Sequence, residues 1–168
     1  YIHAFTDGRD TPPASGLGYV QQVEEQCAKI GVGKIASVCG RFWSMDRDNR
    51  WERVKQAFDL MVSGTADNEA ATGKEACEKA YGRGETDEFI KATRIAGYLQ
   101  PRDGDGLLFL NFRADRAREI LESSFAQFQA DASIVGLTRQ IAEHDEALAG
   151  YCDTVEVQLN ADGSVTVT

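Results

Sequence analysis

Three short stretches hold the residues that could do chemistry. Asp7, Arg9 and Asp10 stand in Thr6-Asp7-Gly8-Arg9-Asp10-Thr11-Pro12-Pro13, directly after an apolar run; Arg41, Asp46, Arg47 and Asp48 follow a second such run, and Asn111, Arg113, Asp115 and Arg116 a third. A guanidinium fork matches the oxygens of a carboxylate or phosphate two at a time, so arginines just beyond strand ends are candidates for holding an anion. Taken singly, each arginine reads equally well as a solvated surface residue or a helix-end ion pair. The repetition of the same chemistry at three junctions favours a binding site. Five arginines in one small space would repel, and Asp7, Asp46, Asp48 and Asp115 offset this only in part, which is the condition a polyanionic ligand relieves. Asp10, beside Arg9, is expected to stay ionised and to accept a proton from a hydroxyl, although its spacing before Thr11-Pro12-Pro13 fits a turn residue better.

Such a site needs parallel strands that deliver the three loops to one sheet edge, where ligands of open α/β sheets bind. Tyr1–Phe5 reads as a strand. A helix follows, capped by Ser15, with Val20, Val23, Cys27 and Ile30 at helical spacing and Gly31 and Gly33 at its end. Lys34–Cys39 is a second strand and Gly40–Arg47 the loop after it. Asp48 or Asn49 caps a helix bearing Trp51, Val54, Phe58 and Met61, which Gly64 closes. Thr72 caps a helix through Tyr81, and Thr86-Asp87-Glu88-Phe89 starts a short one. Leu107–Asn111 reads as a third strand and Phe112–Gln129 as its helix. The pattern predicts an α/β fold, a mostly parallel sheet flanked by helices. At the end, Thr138–Leu148 looks helical, and Cys152–Leu159 and Ser164–Thr168 form a β-hairpin about Asn160-Ala161-Asp162-Gly163. The change of character near residue 130 divides the chain into 1–130 and a tail, 131–168.

Composition narrows the function. The 168 residues are 42% hydrophobic and 27% charged, enough for one domain with a real core. Eighteen basic against 27 acidic residues leave a net charge of −9, which argues against a nucleic-acid partner. The charge is uneven: residues 109–168 carry ten acids against four bases, whereas residues 1–59 balance at eight each. No apolar run approaches the roughly 20 residues of a membrane span. Cys27, Cys39, Cys77 and Cys152 are too widely spaced for a zinc site and read as reduced thiols of a cytoplasmic protein. His3, within the first strand, reads as a packed core residue, and core packing is preferred for Trp43 and Trp51. There is no Gly-x-x-x-x-Gly-Lys loop and no Gly-x-Ser-x-Gly elbow. The chain lacks an initiator Met and opens on what reads as mid-strand, as a piece of something longer would.

His-Ala-Phe-Thr-Asp-Gly-Arg-Asp-Thr-Pro-Pro (3–13), Gly-Arg-Phe-Trp-Ser-Met-Asp-Arg-Asp-Asn-Arg-Trp-Glu-Arg (40–53), Arg-Gly-Glu-Thr-Asp-Glu-Phe (83–89) and Asn-Phe-Arg-Ala-Asp-Arg-Ala-Arg-Glu-Ile (111–120) closely resemble the cofactor-independent phosphoglycerate mutases. The resemblance covers residues 1 to about 120 and points to the transferase, or substrate-binding, domain of that family. It implies that Arg9, Arg41, Arg47, Arg113 and Arg116, with Asp115 among them, bind 3-phosphoglycerate or 2-phosphoglycerate, and that Asp10 orients and deprotonates a glycerate hydroxyl. It further implies a partner, the phosphatase-like domain of the same protein, which supplies a serine nucleophile and two manganese ions. With two histidines in all, this chain is expected to bind no metal and, alone, to catalyse nothing. From about residue 122 the sequence leaves the mutase pattern, and residues 143–168 resemble a segment of the ATPase domain of DNA gyrase. Ala142 stands where that family has its magnesium-binding Asn, so no ATP site is expected. The competing expectation is a non-catalytic, chimeric anion-binding or interaction module.

Overall fold

A computed structural model describes residues 1–102, 105, 108–110, 120, 157–159 and 165–167. The chain divides into two compact units, Tyr1–Pro101 and Arg102–Thr168. The boundary expected near residue 130, the helix expected at Thr138–Leu148 and the hairpin turn at 160–163 all lie outside the described residues.

The first unit runs β1 (Ile2–Thr6), α1 (Gly16–Ile30), β2 (Ile35–Gly40), α2 (Arg41–Ser44), α3 (Trp51–Val62), β3 (Asn68–Ala70), α4 (Gly73–Gly82), a single 3-10 turn (Asp87–Phe89) and β4 (Thr93–Ile95). The sheet order is β1-β2-β4-β3. β1 pairs parallel with β2 in a register from Ile2↔Ile35 to Thr6↔Gly40, and β3 pairs parallel with β4. β4 runs antiparallel to β2. The α/β class and the mostly parallel sheet flanked by helices are thus as expected, with one reversal. Because β4 is reversed, the turn that precedes it sits where β2 ends, and Gly40 N–H donates to the Ile90 carbonyl at 2.8 Å.

All six residues of β2 are buried. Since successive strand residues point to opposite faces, a strand buried throughout is covered on both. One cover comes from α1 and α4 through Val20, Ala76, Cys77 and Ala80, packed with Val38, Ala70, Ile90 and Ile95. α3 buries Val54, Ala57, Leu60 and Met61, and the Tyr98 hydroxyl donates to the Met61 carbonyl. Of the four apolar positions expected to line α1, only Val20 is fully buried; Val23 is 37% and Ile30 71% exposed.

The caps are partly as read. Gly31, at φ +80°, ends α1 with its N–H on the Cys27 carbonyl, and Thr72 caps α4 by accepting from Glu75 N–H at 3.1 Å. Ser15 does not cap α1: its hydroxyl turns back to the Pro12 carbonyl at 2.8 Å. Neither Asp48 nor Asn49 caps α3, whose first helical residue follows Arg50. β3 and β4 were not legible in the sequence; at three residues each they are too short for a period to appear. Leu108–Leu110, inside the third strand expected, belong to neither helix nor strand. In the second unit β5 (Val157–Leu159) pairs antiparallel with β6 (Val165–Val167), the two arms of the expected hairpin. No helix among the described residues is long and apolar enough to cross a membrane.

His3 is a packed residue, as expected. Its Nδ1 lies 2.7 Å from Ser37 Oγ and its ring stands edge-on to Tyr98. Burial, helped by the positive N-terminus, pushes its pKa down from 6.5 to about 4. Between those two values the unfolded chain binds a proton that the folded chain refuses, so stability falls as pH drops through that window. The wild-type chain should lose about 2–3 kcal/mol there relative to His3→Gln. Urea midpoints at pH 7 and pH 4.5 check this; parallel pH profiles for the two proteins would refute it.

Candidate functional site

The carboxyl ends of β1 and β2 release two loops side by side, because the strands are parallel and in register at Thr6↔Gly40. The β1 loop carries Asp7, Arg9 and Asp10, and β2 is followed at once by Arg41. The Arg41 side chain is only 7% exposed. Its Nη1 donates to Asp7 Oδ1 and, at 2.8 Å, to Asp10 Oδ2. A buried cation is tolerated only when paired, and here one guanidinium joins both loops. Burial works against the charged forms of Asp7 and Arg41. The contact outweighs it, holding the Asp7 carboxyl below the usual range and the Arg41 guanidinium above its own.

Asp10 keeps most of its carboxylate in solvent, 69% exposed, with one oxygen fixed by Arg41. Its N–H donates to Asp7 Oδ2 at 3.2 Å, which tightens the loop into a turn. An exposed, oriented carboxylate of this kind can accept a hydrogen bond from a hydroxyl. Arg9 extends into solvent, 55% exposed, with Nη2 2.7 Å from Glu88 Oε1. Arg47 is exposed on the segment beyond α2. Asp46, which the sequence offered as a counter-charge for the arginines, is buried and spent locally. Its carboxylate accepts from Asp48 N–H and Arg50 N–H, at 2.9 and 3.0 Å, and lies 3.7 Å from Arg53. Burial pushes its pKa up, but the two N–H donors and the arginines bring it below the usual value. Asn111, Arg113, Asp115 and Arg116 lie outside the described residues. The edge therefore joins Arg9, Asp10 and Arg41. Arg9 and Arg41 face Asp7, Asp10 and Glu88, so these five groups carry one more negative than positive charge.

Sequence reasoning missed the residue that holds the edge together. Asp87 is fully buried, and its side chain accepts from Gly16 N–H at 2.7 Å and from the Tyr81 hydroxyl. It thus supplies the N-terminal cap of α1 that Ser15 does not, from 71 residues away. The Thr6 hydroxyl donates to the Asp87 carbonyl at 2.7 Å, and Asp87 N–H donates to the Pro13 carbonyl at 2.8 Å. Two glycines admit this turn. A Cβ on Gly40 would stand 2.3 Å from the Glu88 carbonyl oxygen; one on Gly8, which also has φ +66°, would stand 2.6 Å from the Glu88 nitrogen. The only forewarning was Arg-Gly-Glu-Thr-Asp-Glu-Phe as a motif, since periodicity says nothing about a tertiary cap.

The family described as the N-terminus of BPG-independent phosphoglycerate mutase (iPGM_N) matches residues 1–149. The chain belongs to that family. A 2,3-bisphosphoglycerate-independent phosphoglycerate mutase of Pseudomonas fluorescens is 48% identical over 159 residues, covering 90% of this chain and 31% of the relative. That of Cellvibrio japonicus is 45% identical over 160 residues, 93% of this chain and 30% of the relative. A crystal structure of Leishmania mexicana phosphoglycerate mutase, obtained at low cobalt concentration, superposes with a TM-score of 0.69 at 29% identity, covering 77% of this chain and 25% of that one. The chain spans about a third of the length of the curated mutases it matches. The mutase match runs past residue 122, where the pattern had been expected to end.

Two expectations test the edge. Arg41→Met should cost about 2–4 kcal/mol at pH 7, since it leaves two carboxylates without their cation. Stability drawn from a depressed carboxyl is present above the ordinary 3.8 and lost as pH falls through the folded value. The deficit should therefore shrink below pH 3.8, and an unchanged deficit in denaturation at pH 3 would show that the charge contact contributes nothing. Gly40→Ala should cost about 3 kcal/mol or more, because its Cβ meets backbone rather than a movable side chain; a melting temperature within about 2 °C of wild type would contradict this.

Proposed function

We propose that this chain is the substrate-binding part of an enzyme that interconverts 3-phosphoglycerate and 2-phosphoglycerate in the cytoplasm, an intramolecular phosphotransferase. The supporting observation is the Asp10 carboxylate, exposed and fixed on Arg41 beside Arg9 at the shared end of two parallel strands. In this reading Arg9, Arg41, Arg47, Arg113 and Arg116 bind the carboxylate and phosphate of the substrate, with Asp115 among them. Arg41 also aims Asp10, and Asp10 orients a glycerate hydroxyl and takes its proton. Because Asp7, Asp10 and Glu88 outnumber Arg9 and Arg41, attraction for a substrate anion falls to Arg47, Arg113 and Arg116. Holding glycerate in place makes return of the phosphoryl group effectively unimolecular.

Among the described residues no three His, Cys, Asp or Glu side chains gather as a metal centre requires. The residues at hand do not fit the manganese pair expected of the complete enzyme, and no step is assigned to it. In this proposal the phosphatase-like domain is the partner that supplies the metal. For residues 143–168 the proposal is a likeness to a gyrase ATPase segment without a nucleotide site, and β5 and β6 pair antiparallel within it.

In a complete mutase carrying this segment, Arg47→Ala and Arg113→Ala should each lower kcat/KM by about 10²–10³, the loss expected when a charged donor to a reacting anion is removed. The melting temperature of Arg47→Ala should stay within about 2 °C of wild type, as for an exposed position. Parallel loss of folding and activity would make these residues structural. Absence of any calorimetric heat with 3-phosphoglycerate would remove the binding reading.

A further inference from the structure

Glu88 has no place among the groups assigned to substrate, yet it holds Arg9, one of them. Its side chain is 12% exposed, whereas that of Arg9 is 55% exposed, and the pair meets at 2.7 Å. An exposed arginine ordinarily samples many rotamers, and fixing it costs side-chain entropy. What makes Glu88 a useful anchor is the rigidity of the turn beneath it. Thr6 Oγ1 donates to the Asp87 carbonyl, Asp87 N–H to the Pro13 carbonyl and Gly16 N–H to the Asp87 carboxylate. Trp43 Nε1 donates to the Phe89 carbonyl at 3.3 Å, and Gly40 N–H to that of Ile90. These bonds reach the start of the β1 loop, its end, the first residue of α1, α2 and the end of β2. Gly8 and Gly40 both press their backbones against the Asp87–Glu88 peptide. The turn is thereby referenced to both loops at once, and Glu88 transmits that reference to Arg9 through one oxygen. A guanidinium has five N–H donors, so those not directed at Glu88 can meet an incoming anion.

We infer that Glu88 is a positioning residue: seated on the Asp87–Phe89 turn, it pre-aims the Arg9 guanidinium toward the substrate anion. The inference rests on the reading of this edge as a phosphoglycerate site. Pre-aiming lowers the ordering cost of binding, so its loss appears mainly in KM.

The test uses a complete mutase carrying this segment, assayed with 3-phosphoglycerate. Glu88→Ala should raise KM about tenfold and leave kcat within about threefold. Arg9→Ala should raise KM at least as much. The double variant should be no worse than Arg9→Ala, because Glu88 acts only through Arg9. Glu88→Gln keeps an acceptor oxygen and should recover much of the loss at an unchanged melting temperature; it also serves if Glu88→Ala fails to fold. If Arg9→Ala raises KM while neither Glu88 variant does, or if the two losses simply add, positioning by Glu88 is wrong and the substrate-site reading survives. If Arg9→Ala changes neither KM nor kcat, Arg9 is not a substrate ligand and the inference is overturned with that reading.

Discussion

A guanidinium taken out of water must be neutralised where it stands, and Arg41 imposes that condition on everything around it. Its side chain follows β2 inward, and the two carboxylates that satisfy it both come from the loop after β1. The loop therefore cannot close in any arrangement that leaves Asp7 and Asp10 elsewhere. Parallel pairing of β1 with β2 brings the two loops together, and the charge contact then selects the loop conformation. Exposure of Asp10 follows from the same bargain. Asp7 and Asp10 each give Arg41 one oxygen, and the rest of the Asp10 carboxylate stays in solvent.

Much of this was legible because it is local. β1, α1, β2 and α3 stand close to where alternation, helical spacing and glycine stops put them, and Arg9, Asp10 and Arg41 were marked as residues just beyond strand ends. The illegible features share one cause: each depends on a contact across many residues. Ser15 is a good helix cap by type, but Asp87, 71 residues on, takes the Gly16 N–H at the start of α1, and the Ser15 hydroxyl turns back to Pro12. Asp46 looked like a counter-charge for a ligand-binding arginine, yet two backbone N–H groups nearby claim it first. β4 lies antiparallel to β2 in a sheet that the sequence suggested was mostly parallel, and three residues cannot announce a direction.

That reversal has a chemical consequence. In a purely parallel sheet, every segment at the carboxyl edge is a loop leaving a strand, and each must order itself. Here the chain arrives at the same edge from α4, makes the Asp87–Phe89 turn and only then enters β4. An arriving segment is tethered by the strand after it and the helix before it. It can wedge between two departing loops at the cost of little further entropy. Gly8 and Gly40 are the sequence trace of that wedge, since any larger residue would push it out.

The balance of charge bears on how the two loops keep their shape. Arg9 and Arg41 are outnumbered by Asp7, Asp10 and Glu88, so the edge as described is built to hold geometry rather than to attract an anion. Each carboxylate is tied to a guanidinium, Asp7 and Asp10 to Arg41 and Glu88 to Arg9, so the charges fix the loops against one another. In the proposed site this leaves the carboxylates to set alignment while affinity is tuned by other side chains.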